Sequence, residues 1–226
     1  MLTAAFDTAD GIALAVAEDN EIIFSTSKIA VGRRKNNDMG EWLWEKLDEA
    51  QILPAQITKW TVGTGPGSFV GLRSGIAMIK GICTQSAAQM RGLPTSLATA
   101  LTANIANDIE TVFVLNDARQ NEVITSQYSK NKTELQQKTE PSVMTSESLE
   151  NLSMDNKTVF VSTQTEIIKD RLPEKIKNNI ITLDNIDAGT LINPVGYPWP
   201  NDFKTMQKSL EPVYVRPPVF IKPSDK

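Results

Sequence analysis

Histidine is absent from the sequence, and cysteine occurs once, as Cys83. Histidine is the commonest metal ligand and the usual proton shuttle near neutral pH, so catalysis through Ser-His-Asp, Cys-His or histidine-bound metal is excluded. A single cysteine forms neither a disulfide framework nor a thiolate cluster for zinc or iron, which favours a reducing cytoplasm. We therefore expect no metal site and no catalytic residues of these classes.

Long apolar runs and a basic excess are also missing. No stretch reaches eighteen consecutive apolar residues, and the opening "MLTAAFDTADG" lacks a basic region, so secretion and membrane insertion are both disfavoured. The formal net charge is -4, with 23 basic and 27 acidic side chains. A protein that binds nucleic acid unaided is usually basic, so we expect any contact with RNA to be indirect, through a partner.

The hydrophobic periodicity indicates one α/β unit that occurs twice. Each pass reads as three strands, a helix, a strand and a helix, by alternation of period two and then of about 3.6. The first pass comprises strands at 2–6, 12–16, 21–27 and 59–62 and helices at 39–52 and 68–90. The second comprises strands within 111–128 and at 135–139, 158–162 and 180–183, a helix capped by Thr145 or Ser146, and a helix at 164–172. We expect two subdomains, 1–109 and 110–226, joined by a helix over 95–109, with an irregular, proline-rich tail.

The stretch "VGTGPGSFVGLRSG", residues 62–75, has two interpretations. Ser68 can cap a following helix whose positive N-terminus would suit phosphate, although neither a Walker A lysine nor a full dinucleotide fingerprint is present. Alternatively, small residues at positions 71, 74 and 75 let a second helix approach closely, and that helix can belong to a partner or to the same chain. The neighbouring face is apolar and carries Phe69, Leu72, Ile76, Ile79 and Cys83.

Four stretches resemble the TsaB family, formerly called YeaZ: "GTGPGSFVGLRSGIAMIKG", "FDT", "DARQNEV" and "EPVYVRPP". The resemblance implies a duplicated actin-like fold of the RNase H-like (ASKHA) class, with a mixed sheet and flanking helices in each subdomain. It also implies a non-catalytic subunit that dimerises with TsaD, the enzyme forming threonylcarbamoyladenosine beside the anticodon of ANN-decoding tRNAs.

The implied partners are a TsaD-like catalytic subunit, a TsaE-like ATPase in the full complex and a second copy when TsaD is missing. No intrinsic cofactor is implied, and ATP or ADP with magnesium would lie at the complex interface. Two other functions stay open: an actin-fold phosphotransferase or ATPase, and a self-associating structural protein.

The resemblance also assigns residues. The helix after the GPGSF turn would meet the partner through Ser68, Phe69, Gly71, Leu72, Arg73, Gly75, Met78 and Ile79. Arg73 and Lys80 would be rim contacts or simply part of a solvated face. Residues that would approach phosphate, or else cap their own turns, are Asp7, Thr8, Gly65, Gly67, Asp117 and Arg119. We favour turn capping for both aspartates, and we expect Arg119 to be the local ion partner of Asp117.

Three segments depart from the family pattern. "GRRKNND" replaces the usual His-Ser-Glu after the arginine pair, and Val70 replaces a threonine. "FVSTQT", residues 160–165, lacks the glycine of the usual turn after that strand, which puts any nucleotide site that depends on the turn in doubt.

Overall fold

The computed structural model describes residues 1–29 and 38–215. The "RRKNN" part of the divergent segment and the end of "EPVYVRPP" therefore lie outside the described residues. Among the described residues, no helix combines the length and the apolarity needed to cross a membrane.

The first half is built on a five-stranded mixed sheet with the order β3-β2-β1-β4-β5. Its strands are β1 Leu2–Asp7, β2 Gly11–Glu18, β3 Glu21–Ile29, β4 Ile57–Gly63 and β5 Gln89–Leu93. β1 is antiparallel to β2 and parallel to β4, and β4 is parallel to β5. The helices of this half are α1 Met39–Glu49, α2 Phe69–Ser86 and α3 Thr95–Thr102.

The second half repeats this arrangement. Its strands are β6 Thr111–Arg119, β7 Glu122–Asn131, β8 Glu134–Gln137, β9 Ser142–Met144, β10 Thr158–Ser162 and β11 Ile180–Thr182. They are ordered β11-β10-β6-β7-β8, and β9 also pairs with β7. Helices α4 Ser146–Glu150, α5 Thr165–Ile168, α6 Glu174–Lys177 and α7 Phe203–Ser209 follow in chain order. The two sheets share one strand order, which confirms the predicted duplication.

Strand β2 shows why the sequence folds into layers. Ile12, Leu14 and Val16 point into a core formed with α1 and α2, whereas Ala13, Ala15 and Ala17 point to the opposite face. That opposite face packs against α3 and the buried valines of β6 and β10, so the alanines allow the two halves to approach closely. A third core, around the stacked rings of Phe113 and Phe160, lies on the outer face of the second sheet.

The structure corrects three predicted elements. Helix α2 ends at Ser86, because Ala87 adopts a left-handed conformation (φ 56°), and residues 89–93 form strand β5 rather than the end of the helix. The joining helix covers only Thr95–Thr102. The tail, predicted to be irregular, contains α7, which packs back on β5 of the first sheet, while Gly196 lies against Glu134 of the second half.

Arg91 holds that returning segment in place. Its guanidinium is buried in β5 and donates to the carbonyls of Tyr197 (2.6 Å), Leu191 (3.2 Å) and Ile192 (2.9 Å), and to the hydroxyl of Thr61 (3.0 Å). Burial lowers the pKa of Arg91 to about 10, which leaves the side chain charged at neutral pH.

Candidate functional site

The turn that follows β1 is the centre of the predicted site. The Asp7 carboxylate is buried and accepts hydrogen bonds from the Thr95 hydroxyl (2.5 Å) and from the backbone N–H of Ala9 (2.8 Å). Burial raises the pKa of Asp7 to about 6, and these two hydrogen bonds oppose the shift. In the described structure Asp7 caps its own turn.

Four glycines of the "VGTGPGSFVGLRSG" stretch face this turn at distances that exclude a side chain. A Cβ at Gly63 would lie 1.6 Å from Asp7 Oδ2, and one at Gly67 would lie 2.5 Å from the Ala9 Cβ. A Cβ at Gly71 would lie 2.3 Å from the Thr8 carbonyl oxygen, and one at Gly75 would lie 2.4 Å from Thr8 Oγ1. These glycines are therefore required by contacts within one chain.

The start of α2 is tied to the same turn. Ser68 donates its N–H to the Ala9 carbonyl (2.7 Å), and its hydroxyl accepts the N–H of Gly71 (3.2 Å). The Thr8 hydroxyl donates to the Gly71 carbonyl (2.9 Å). Gly65 has φ +98°, which favours glycine, and donates its N–H to Thr95 Oγ1 (3.0 Å). The backbone N–H groups of Gly65, Ser68 and Gly71 are therefore already hydrogen-bonded within the chain. The phosphate interpretation would need such N–H groups to bind a ligand.

Four of the eight residues predicted for the partner surface are buried within this chain. Leu72 and Ile79 are fully buried in the chain's own cores, and Gly71 and Gly75 are covered by Thr8. None of these four can present a side chain to a partner. Ser68 and Met78 are half-buried, whereas Phe69 and Arg73 are exposed.

The exposed side of α2 is a different set of residues. We call it the outer face of α2, and its members are Phe69, Val70, Arg73, Ser74, Ala77, Lys80, Gly81 and Thr84. Val70 is 69% exposed and Phe69 44% exposed, which leaves two large apolar side chains at the start of the helix in contact with solvent. No atom lies within 4 Å of the position of a Cβ at Gly81.

Tyr214 from the tail fixes one end of this face. The Arg73 guanidinium lies 3.8 Å from the centre of the Phe69 ring and donates to the Tyr214 hydroxyl (2.6 Å). The Phe69 and Tyr214 rings are 5.2 Å apart. Tyr214 belongs to the quoted "EPVYVRPP" stretch, but the sequence offers no signal that joins it to α2.

The second predicted aspartate has a different partner from the one we expected. Asp117 accepts a hydrogen bond and ion pair from Arg171, whereas Arg119 donates its backbone N–H (2.8 Å) and otherwise acts on this carboxylate only through the longer-range attraction of its charge. Burial raises the pKa of Asp117, but the bonds from Arg171 and from the Arg119 backbone outweigh it, so the pKa is lowered. Arg171 lies 54 residues away and was missed in the sequence.

The cleft between the halves is bridged by the turn after β10. Thr163 donates to Asp10 Oδ2 (3.2 Å), and Gln164 Oε1 accepts the backbone N–H of Asp117 (2.7 Å). Within residues 1–29 and 38–215, no cluster of three or more histidine, cysteine, aspartate or glutamate side chains could hold a metal ion.

A family model described as TsaD, tRNA N6-adenosine threonylcarbamoyltransferase, matches residues 30–190, well over half of the chain. The chain belongs to this family. A search of curated proteins found no significant match.

Two solved structures share the fold over nearly their whole length. An uncharacterized protein with similarity to peptidase YeaZ from Pseudomonas aeruginosa has a TM-score of 0.72 at 18% identity, covering 95% of this chain and 99% of its own. YeaZ from Pseudomonas aeruginosa has a TM-score of 0.69 at 17% identity, covering 94% and 99%. At these identities the likeness shows the fold. The family match confirms the predicted resemblance and its link to tRNA modification. The fold shared with YeaZ, with one strand order in both sheets, confirms the predicted duplicated actin-like class.

Proposed function

We propose that this chain is a non-catalytic, cytoplasmic TsaB-type subunit. It pairs with a TsaD-like catalytic subunit that forms threonylcarbamoyladenosine beside the anticodon of ANN-decoding tRNAs. Membership of the TsaD family and a fold shared with YeaZ over nearly the whole chain support this assignment. The observation that carries it is the outer face of α2, because a subunit without its own chemistry needs a surface through which to act.

The outer face of α2 has the properties of a helix-packing surface. The side chains of Val70, Ser74, Ala77 and Gly81 follow one another at spacings of four, three and four, so they form one stripe along the helix. Small side chains let a second helix approach closely, and Val70 and Phe69 supply exposed apolar area at one end. The partner is the TsaD-like subunit, and a second copy of this chain takes its place when that subunit is missing.

The chemistry of the chain supports a non-catalytic role. The sequence contains no histidine, and burial raises the pKa of the Cys83 thiol to about 12, so this thiol is not a nucleophile near neutral pH. Asp7 and Asp117 are each held by protein hydrogen bonds. No observation in the described residues favours the phosphotransferase or ATPase alternative.

The other members of the complex follow from the same assignment. At a net charge of -4 the chain gains little from counterion release, so tRNA is contacted by the TsaD-like subunit. ATP or ADP with magnesium is held at the interface of the complex, together with a TsaE-like ATPase, and not by this chain alone.

Sedimentation of the chain with a TsaD-like subunit tests the pairing. Ala77→Trp adds a large side chain at an exposed position in the middle of the outer face of α2, so association should weaken while the melting temperature stays unchanged. Lys204→Trp, on the exposed side of α7, is the matched control and should leave association unaltered. Full affinity of Ala77→Trp would place the interface elsewhere.

A further inference from the structure

We propose that the turn Ser162–Gln164 is an internal latch that joins the two halves across the cleft and makes this cleft unable to accept a nucleotide. The actin-like fold implies a nucleotide between the halves, approached by the hairpins that follow β1 and β6. The residues present in this chain do not fit that group. The inference rests on contacts within the chain and does not depend on the proposed function.

The first contact of the latch is on the second half. Gln164 Oε1 accepts the backbone N–H of Asp117 at 2.7 Å, so the side chain of the turn uses the amide at the end of β6. The Ser162 hydroxyl accepts the N–H of Gln164 (2.9 Å) and donates to the Leu115 carbonyl (2.8 Å). Ser162 is fully buried, which fixes the direction in which Gln164 leaves the strand.

The second contact reaches the first half. The Thr163 hydroxyl donates to Asp10 Oδ2 at 3.2 Å, although these residues are 153 positions apart. Asp10 lies at the end of the turn in which Thr8 packs against Gly71 and Gly75 of α2. One three-residue turn therefore contacts both hairpins of the cleft.

The carboxylates that would approach magnesium and phosphate have protein partners as well. Asp7 is held by Thr95 and by the Ala9 amide, and Asp117 by Arg171. Binding of a metal and a phosphate here would require breaking these protein contacts, and those of Asp7 are fully buried.

Two cavities remain between the halves in the described part of the chain. One, of about 120 Å³, is lined by Asp7, Thr99, Asn116 and Ile167, among others, and the other, of about 320 Å³, lies between the two hairpins and is lined by Asp10, Ser68, Asp117 and Gln164, among others. Pockets for drug-sized ligands measure roughly 300–1,000 Å³, so the first cavity is too small for a nucleotide and the second reaches only the lower end of that range. The buried Oδ1 of Asn116, which has no hydrogen-bond partner within the described residues, is an acceptor suited to water.

Amide hydrogen exchange at Asp117 tests the first contact. In Gln164→Ala the Asp117 N–H loses its acceptor and should exchange roughly three to ten times faster than in the parent protein. Gln164→Glu keeps an acceptor oxygen at the same distance from the backbone and is the matched control, with protection retained. Equal exchange in the parent and in Gln164→Ala would overturn the latch.

The contact across the halves is tested by a double-mutant cycle. Thr163→Val removes the hydroxyl with little change of shape, and Asp10→Ala removes its acceptor. If the bond links the halves, the effects of the two substitutions on the unfolding constant are coupled by a factor of about two to ten. Additive effects would contradict the proposed link.

Calorimetric titration of the unaltered protein with ADP, ATP and magnesium tests the consequence and needs no variant. We expect no saturable binding at millimolar nucleotide. Stoichiometric binding of either nucleotide would overturn the proposal, and loss of that binding in Asp7→Asn would place the ligand in the cleft. Neither outcome bears on pairing with a TsaD-like subunit, which is measured separately.

Discussion

Substitution of Gly75 by alanine separates a glycine required by the fold from one required by a partner. The added Cβ would lie 2.4 Å from Thr8 Oγ1 and 3.0 Å from Thr8 Cγ2, so Thr8 must move. Thr8 is not free to turn away, because its hydroxyl donates to the Gly71 carbonyl at 2.9 Å. The clash therefore also threatens a buried hydrogen bond.

The expected change in the free energy of unfolding combines two destabilising contributions and one stabilising contribution. Overpacking costs about 1–3 kcal/mol, and loss of the Thr8 hydrogen bond costs about 0.5–1.5 kcal/mol. Alanine within a helix recovers about 1 kcal/mol relative to glycine. We expect Gly75→Ala to lower the free energy of unfolding by roughly 1–3 kcal/mol, measured by urea denaturation of the isolated chain.

Gly81→Ala is the matched control, since it lies on the same helix with no atom within 4 Å of the new Cβ. It should raise the free energy of unfolding by up to about 1 kcal/mol. In Thr8→Ala the obstacle is removed, so Gly75→Ala should cost little in that background. If Gly75→Ala were as stable as Gly81→Ala, or if Thr8→Ala gave no relief, the packing of the glycines on the turn would be refuted.

Three further predictions concern buried groups. Burial raises the pKa of Asp7 from 3.8 to about 6, so the charged carboxylate lowers the stability of the fold above pH 6. Relative to Asp7→Asn, the free energy of unfolding of the parent protein should rise by roughly 2–3 kcal/mol as the pH falls from 7.5 to 4. A difference in urea denaturation that does not change with pH would contradict this. Arg91→Met leaves three carbonyls without their donor, so the free energy of unfolding should fall by about 3 kcal/mol or more and proteolysis within residues 191–199 should become faster. Unchanged proteolysis would show that Arg91 does not hold this segment in place. Cys83, with its pKa raised to about 12, should react with thiol reagents at pH 8 only at the rate of unfolding, and rapid modification of the folded chain would refute its burial.

The duplicated fold was predictable because its signal is local. The alternation in "GIALAVAE" identifies β2 and also separates large from small residues on its two faces. By contrast, β5 has the sequence "QMRGL", which contains a buried arginine and a glycine and follows directly on an apolar helix. Its strand conformation is set by pairing with β4, which periodicity within the segment does not reveal.

The motifs of the candidate site could be recognised in the sequence, but the contacts between these motifs could not. The sequence places Asp7, Thr8 and the glycines in two conspicuous stretches, but only the folded chain brings Thr8 against Gly71 and Gly75, more than sixty residues later. Long-range partners such as Arg171 and Tyr214 carry no local signal either. The glycine pattern alone therefore does not reveal which side of α2 is covered by the chain itself.

The central claim, that the chain supports a TsaD-like enzyme without catalysing the reaction itself, is tested most directly by reconstituted transfer of a threonylcarbamoyl group to tRNA. With the TsaD-like subunit and the remaining components from the same organism, product should form only when this chain is present. Ala77→Trp should reduce product formation and Lys204→Trp should not. Transfer by this chain alone, or full activity of the TsaD-like subunit in its absence, would contradict the account.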